Sequence, residues 1–487
     1  MRETDTRTEP GHAVVIGGGI AGLTAAHRLL ESGFRVTVLE ASDRVGGKLH
    51  AGEIEGVRVD LGAESMLARR PEAVALAREA GLGERLQAPA TTSASLWTRD
   101  TLRPMPKGHV MGVPADAASL AGVLSEEGLA RIGRDRELPP TEVGEDIAVG
   151  AYVAARVGRE VVDRLVEPLL GGVYAGDAYK ISLRMAVPQL YEAARTHGSL
   201  LDGVRALQER AARNPSPGPV FMGIEGGVGQ LPLAVAELVR KEGGEIHLRT
   251  PVTGLARDEA LPGEGAWTVR TDHRTLRADA VVLALPAPHA ARLLDGLAPA
   301  AAAELRTVEY ASMALTTLVY RRDEIELPEG SGFLVPPVDG HRIKASTFAS
   351  QKWGWIAEEN PELVAVRTSV GRHGETEILR REDEELVEIS RQDLKAAVGV
   401  SARPVATRVT RWDDGLPQYP VGHLARVARI RGHLAPLPGL AVCGAAYDGV
   451  GIPAVIASAT AAARQISHGS AQLSVNPGES NFGGAGQ

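Results

Sequence analysis

Residues 13–16, AVVI, form an unbroken apolar run of the length of a buried strand. In GGGIAGLTAAHRLLESG the apolar positions Ile20, Leu23 and Leu30 recur at helical spacing, and Gly33 marks the end of the predicted helix. RVTVLE predicts a second strand ending on Glu40. From about residue 71 to 215 the spacing becomes that of amphipathic helices, as in PEAVALAREAGLGERL and GAYVAARVGREVVDRLVEPLL, and NPSPGP at 214–219 reads as a linker. Strand signals then return. GIEGGVGQLPLAVAELVRKEGGEIHLRTPV predicts a helix followed by a strand, and WTVRTDHRTLRADAVVLALP predicts a hairpin running into a buried strand. Residues 288–400 combine the strand patterns ALTTLVYRR and ELVAVRTSV with the charged helical pattern EDEELVEISRQDLKAAVGV. Late in the chain LAVCGAAYDGVGIPAVIASATAAARQI predicts a strand, a glycine turn and a helix.

This order predicts an α/β protein whose first βαβ unit is completed by segments far along the chain. The predicted division is a discontinuous first domain of 1–70, 215–287 and 405–470, a mainly helical insertion at 71–214, a sheet-plus-helix domain at 288–404, and a disordered tail at 471–487. A length of 487 residues is consistent with about two to three domains. The formal charge of -8 offers no cation surplus for phosphate neutralisation, which argues against a nucleic-acid binder. The single cysteine, Cys443, cannot form an internal disulfide, so a reducing, cytoplasmic setting is expected. The polar start MRETDTRTEPGH resembles neither a signal peptide nor an anchor. The apolar stretch 440–463 is interrupted by Asp448, Pro453 and glycines, so no transmembrane segment is expected, although peripheral membrane contact stays open. The scattered histidines lack metal-site spacing, and no metal is expected.

The chemistry-bearing signal sits in the first strand–turn–helix–strand unit. Gly17-x-Gly19-x-x-Gly22 lies at the strand-to-helix turn, and Glu40 follows at about the ~20-residue offset of a carboxylate that bonds a ribose hydroxyl. Small residues there let backbone N–H groups and the positive helix end approach a pyrophosphate. In this context the motif predicts a Rossmann-like dinucleotide-binding domain. ASDRVGGKLH, directly after Glu40, adds Gly46, Gly47 and the cations Arg44 and Lys48, which a simple nicotinamide domain does not need.

With that extension the chain resembles the flavin-dependent amine oxidase and protoporphyrinogen oxidase superfamily. DLGAESML (60–67), EPLLGGVYAGD (167–177), RIKASTFASQKW (342–353), TRWDDGLPQYPVGH (410–423) and YDGVGIP (447–453) resemble its porphyrinogen oxidase branch, in order, from about residue 12 to 466. The likeness is strongest to the bacterial type that converts coproporphyrinogen III to coproporphyrin III. Mitochondrial-type members carry an arginine near Val110 or Met111 that is absent here.

The resemblance implies non-covalent FAD, a porphyrinogen substrate, dioxygen as final acceptor, and a Rossmann-like FAD-binding domain beside a mixed sheet-plus-helix substrate domain. Gly17, Gly18, Gly19, Ile20, Ala21 and Gly22 would cradle the pyrophosphate, Glu40 and Ala41 would meet the adenosine ribose, and Lys48 would lie along the phosphates. Gly62, Ala63, Glu64 and Ser65 would approach the flavin ring or ribityl chain. Val252 would contact adenine through its backbone, and Trp412 with Val450, Gly451 and Ile452 would flank the isoalloxazine; Val252 and Trp412 fit core positions equally well. No side-chain base is assigned, because the flavin N5 carries the chemistry. Substrate carboxylates call for cations: Arg69 and Arg70 first, then Arg342, Lys344 and Lys352. Two alternatives remain open at this level: another flavin oxidase, acting on amines or carotenoids, and a non-enzymatic binding protein on the same fold, like the prenyl-GTPase dissociation inhibitors. The oligomeric state has no signature in the sequence.

Overall fold

The computed structural model describes residues 10–214, 218–258 and 266–474. Its first sheet is parallel and five-stranded, in the order Glu245–His247, Arg35–Leu39, His12–Ile16, Ala280–Leu283, Leu440–Val442. Both faces are covered, which explains the unbroken AVVI run. Ala13 and Val15 enter a core shared with the helices Ile20–Glu31, Gln230–Lys241 and Ile452–Ser474. Val14 and Ile16 enter a second core with Trp267, Leu294, Val427 and Ile430. Beside this sheet lies the antiparallel meander Val252–Arg257, Trp267–Thr271, Thr275–Ala278, and Val57–Asp60 closes a hairpin with Ala51–Ile54.

The second sheet has seven strands, in the order Ala406–Pro417, Tyr310–Arg321, Leu363–Val370, Ala345–Thr347, Gly332–Leu334, Ser95–Thr98, Thr101–Pro104. One face sends Leu318, Tyr320, Phe333, Val364 and Val366 into a core closed by Leu386 and Leu394 of the helix Asp383–Val398. The other face carries Met313, Leu334, Arg367 and Trp412, by strand alternation and register. It looks toward the 51–60 hairpin, whose Val57 and Val59 share a core with Val319 and Ala365, and toward the helical segment, against whose core Leu334 packs.

The structure moves three predicted boundaries. Residues 71–214 do form helices around a core of their own, but Ser95–Thr98 and Thr101–Pro104 leave that segment to join the second sheet. Their turn places Arg99 and Asp100 at φ 52° and 53° without the glycine that usually announces such a hairpin. Ala406–Pro417 pairs with Tyr310–Arg321 and belongs to the second sheet, not the first domain. The last helix runs on to Ser474, past the expected tail start at 471, and residues 475–487 lie outside the described part. Among the described residues no helix is long and apolar enough to cross a membrane.

The helical segment holds a buried ion pair. Arg156 is 1% exposed and its Nε donates to Asp135 Oδ1 at 2.6 Å, while its other nitrogens donate to the carbonyls of Asp135, Pro139 and Gly198. Asp135 also accepts from Ser199 Oγ and the Leu201 N–H, so the charges are satisfied where water is excluded.

Candidate active site

Gly17 leaves the first strand at φ 110°, and its N–H donates to Leu39 O at 2.8 Å. A Cβ on Gly22 would stand 1.8 Å from Gly17 O, so the helix Ile20–Glu31 starts directly against the loop. Its N-cap, Gly19, supplies no side-chain cap, leaving first-turn N–H groups for an anion. The Glu40 carboxylate accepts from Gly18 N–H at 2.6 Å and Ser42 N–H at 2.7 Å, which fixes it at the end of the second strand beside the loop. Ala41, next in the chain, is exposed.

The second glycine pair packs on the first. Gly46 N–H donates to Gly18 O at 2.9 Å, and Gly47 Cα lies 4.0 Å from where a Gly19 Cβ would sit. Beyond Glu40, Thr250 N–H donates to Glu40 O and Arg249 N–H to Ser42 O, bringing the half-buried Val252 alongside. A tight glycine loop, an uncapped helix end and a carboxylate fixed beside them thus occur together, and these residues fit the adenine half of FAD.

A second group of residues fits the ring half. A Cβ on Gly62 would meet Lys48 O at 2.2 Å and Trp412 Cζ2 at 3.2 Å, and Trp412 Nε1 donates to Leu61 O at 2.9 Å. Trp412 is therefore neither loose nor a plain core residue: it is half-buried and pins the Leu61 backbone. Lys48 can be reached by solvent, yet its ammonium lies 5.8 Å from the Tyr310 ring in surroundings that are mostly protein. That crowding pushes its pKa down to about 8, against the pull of Asp414. Lys48 thus links the loop's glycines to the Trp412 end. The turn 449–451 approaches from the end of the chain: Gly449 has φ 125°, Gly451 is exposed, and the 23-residue helix beginning at Ile452 follows. Met185 Cε, from the helical segment, lies 3.8 Å from a Cβ built on Gly449.

The expected substrate cations are dispersed. Arg69 is exposed, and Arg70 pairs with Glu72 at 2.6 Å. Arg342 is exposed on the far side of the second sheet, where its N–H donates to Asp393 of the covering helix. Lys344 corrects the expectation outright: it is 6% exposed, its ammonium donates to Gly371 O at 2.9 Å, and burial beside Arg372 pushes its pKa down to about 7. A strand pattern alone does not show such burial. Lys352 is likewise engaged, donating to Glu64 Oε1 at 2.5 Å. Glu64 accordingly binds two cations, Lys352 and Arg367, and its carboxylate faces them. Arg367 was not among the expected residues. It sits in the strand pattern ELVAVRTSV, where one arginine in an apolar strand is the only available signal.

The fold and these two half-sites define a flavin-binding oxidoreductase architecture. The chain belongs to the flavin containing amine oxidoreductase family, whose model matches residues 20–467. It is 39% identical, over 92% of its length and 96% of theirs, to a protein named coproporphyrinogen III oxidase in Mycobacterium tuberculosis. To the Bacillus subtilis protein of the same name it is 33% identical, over 93% of this chain and 97% of that one. A solved Exiguobacterium protein superposes with a TM-score of 0.83 at 33% identity, covering 94% of this chain and 99% of that one. Cyclohexylamine oxidase from Brevibacterium oxydans shares the fold with a TM-score of 0.69 at 18% identity, over 96% and 100% of the two chains.

Proposed function

We propose that this protein is an FAD-dependent oxidase that converts coproporphyrinogen III to coproporphyrin III with dioxygen as final acceptor, and that protoporphyrinogen IX is a second, related substrate. What carries the reading is the full-length likeness to relatives bearing that activity in their name, joined to a site in which both halves of FAD have fitting residues. Its setting is the cytoplasm.

When bound, FAD supplies a two-electron acceptor at its ring, the hard step of aromatising a porphyrinogen. The chain's own residues bind, orient and enclose. Gly17–Gly22 and Glu40 would hold the nucleotide half, and Gly62, Trp412 and the turn 449–451 would hold the ring half. The half-buried Met313 and Leu334 on that sheet's inward face present apolar surface suited to a flat macrocycle. No side chain has to act as a base: a substrate whose pyrrole N–H groups lose protons to solvent needs orientation more than a dedicated acceptor. Arg69 and Arg70 are the remaining candidates for the propionates, since Lys344 and Lys352 are tied elsewhere and Arg342 lies on the far side of the second sheet.

The test is a parallel incubation of FAD-loaded protein with coproporphyrinogen III, protoporphyrinogen IX and a panel of amines. Porphyrin fluorescence rising well above autoxidation, faster with coproporphyrinogen III, is the expected result. Fluorescence at the autoxidation rate removes the proposal, and peroxide release from an amine redirects it to amine oxidation.

A further inference from the structure

The loop Leu61–Ser65 leaves the hairpin strand Val57–Asp60 and carries Gly62 to the ring end of the site. Its hold on that position comes largely from the other sheet. Trp412 Nε1 donates to Leu61 O at 2.9 Å, Arg367 Nη2 donates to Gly62 O at 2.7 Å, and Arg367 Nη1 donates to Glu64 Oε2 at 2.6 Å. Lys352, in the short helix Ala349–Lys352, completes the set on Glu64 Oε1. Arg367 is central because one guanidinium grips both the loop's backbone and its side chain. Its planar fork suits two acceptors at once, and its own side chain is only 7% exposed.

The cluster is electrostatically sound. Burial opposes ionisation of Glu64, but the Lys352 ammonium and the Arg367 guanidinium outweigh it and hold the carboxyl below its usual range. On the loop's other flank, Asp60 accepts from the Val228 and Gly229 N–H groups ahead of the helix Gln230–Lys241. The segment 60–65 is thus tied on one flank to the dinucleotide-binding unit and on the other to the second sheet.

We propose that Arg367 is a positioning residue for the flavin ring: by clamping Gly62 and Glu64 onto the second sheet it sets the ring-side wall of the cofactor site. This deepens the flavin reading and rests on it. Lysine at 367 keeps the charge but reaches only one of the two acceptors, so the loop keeps a counter-ion and loses its register. The test compares wild type, R367K and K352M by FAD titration, by the visible spectrum of bound FAD, and by melting of the FAD-free proteins. Expected is an FAD Kd raised about tenfold or more in R367K, the equivalent of losing one hydrogen bond to a charged group, with altered flavin bands and near-wild-type melting without FAD. K352M, which keeps the grip on Gly62, loses less. Wild-type affinity and spectrum in R367K overturn the proposal. So does a loss of affinity that only follows a lowered melting temperature of the FAD-free protein, or one equalled by K352M. Wild-type protein that binds no FAD fails at the cofactor reading itself, before any variant is compared.

Discussion

The two glycines at the start of the first helix make separable predictions. In G22A the new Cβ would stand 1.8 Å from Gly17 O, and reaching even a 3.0 Å contact requires the helix start and loop to part by about 1.2 Å. The helix cannot simply withdraw, because Leu23, Ala25, Ala26 and Leu29 are fully buried among neighbouring helices. Overpacking of this kind costs about 1–3 kcal/mol of stability. A retreat of ~1.2 Å also stretches N–H-to-phosphate bonds from about 2.9 to about 4 Å, beyond hydrogen-bonding range. Losing two charge-assisted bonds of ~1.5–3 kcal/mol each weakens FAD binding by roughly 10²–10⁴-fold. G19A differs. Gly19 has φ -72°, and its Cβ would meet nothing nearer than Gly47 Cα at 4.0 Å. The FAD-free variant should therefore melt within about 1 kcal/mol of wild type while its methyl obstructs the pyrophosphate. Thermal melts without FAD and fluorescence titrations with it separate the two variants. If G19A and G22A both bind FAD within threefold of wild type, the loop is not the phosphate cradle.

Truncating Arg156 to alanine strands the Asp135 carboxylate in the helical core, and urea denaturation should show a loss of about 3–5 kcal/mol. Lys344 predicts a pH dependence. Its folded pKa of about 7 lies below the ordinary lysine value of 10.5, so across that window the unfolded chain holds a proton that the folded chain releases. Stability should therefore rise with pH between those values, and K344M should flatten the slope in urea titrations at successive pH. For the substrate, R69A should lower kcat/KM for the four-propionate porphyrinogen more than for the two-propionate one. R70A should change it less, because Glu72 already occupies that guanidinium in an exposed pair worth about 0–1 kcal/mol. Equal losses for both substrates would place Arg69 away from the propionates.

The first βαβ unit was legible because its signals are local: an apolar run, a glycine turn, helical spacing and a carboxylate at a fixed offset lie within about 30 residues, the span of a single such unit. Its far strands could be anticipated from apolar runs at 280–283 and 440–442, though not their order in the sheet. What escaped depends on partners distant in sequence. Ser95–Thr98 looked like part of a helical insertion because its parallel partner, Gly332–Leu334, lies more than two hundred residues away. Ala406–Pro417 carries Trp412, expected at the flavin ring, and falls within the 405–470 piece of the expected first domain, whereas its backbone pairs entirely with the second sheet. The same limit applies to cations. Lys344, Lys352 and Arg367 look alike as charges in a strand-rich stretch, and only the fold shows one sealed against a carbonyl and two locked on Glu64.

The strand order of the parallel sheet bears on how the protein is synthesised. His12–Ile16 emerges first, but Ala280–Leu283 pairs with it only after more than half the chain has been made, and Leu440–Val442 seals the edge close to the end. At about 5–20 residues per second, the earliest strand waits on the order of twenty seconds to a minute and a half for its sheet to close. Throughout that interval the glycine loop exists without the late turn 449–451. The nascent chain must therefore be kept from aggregating through the hydrophobic strands it has already exposed, and cofactor loading becomes a late, post-translational event.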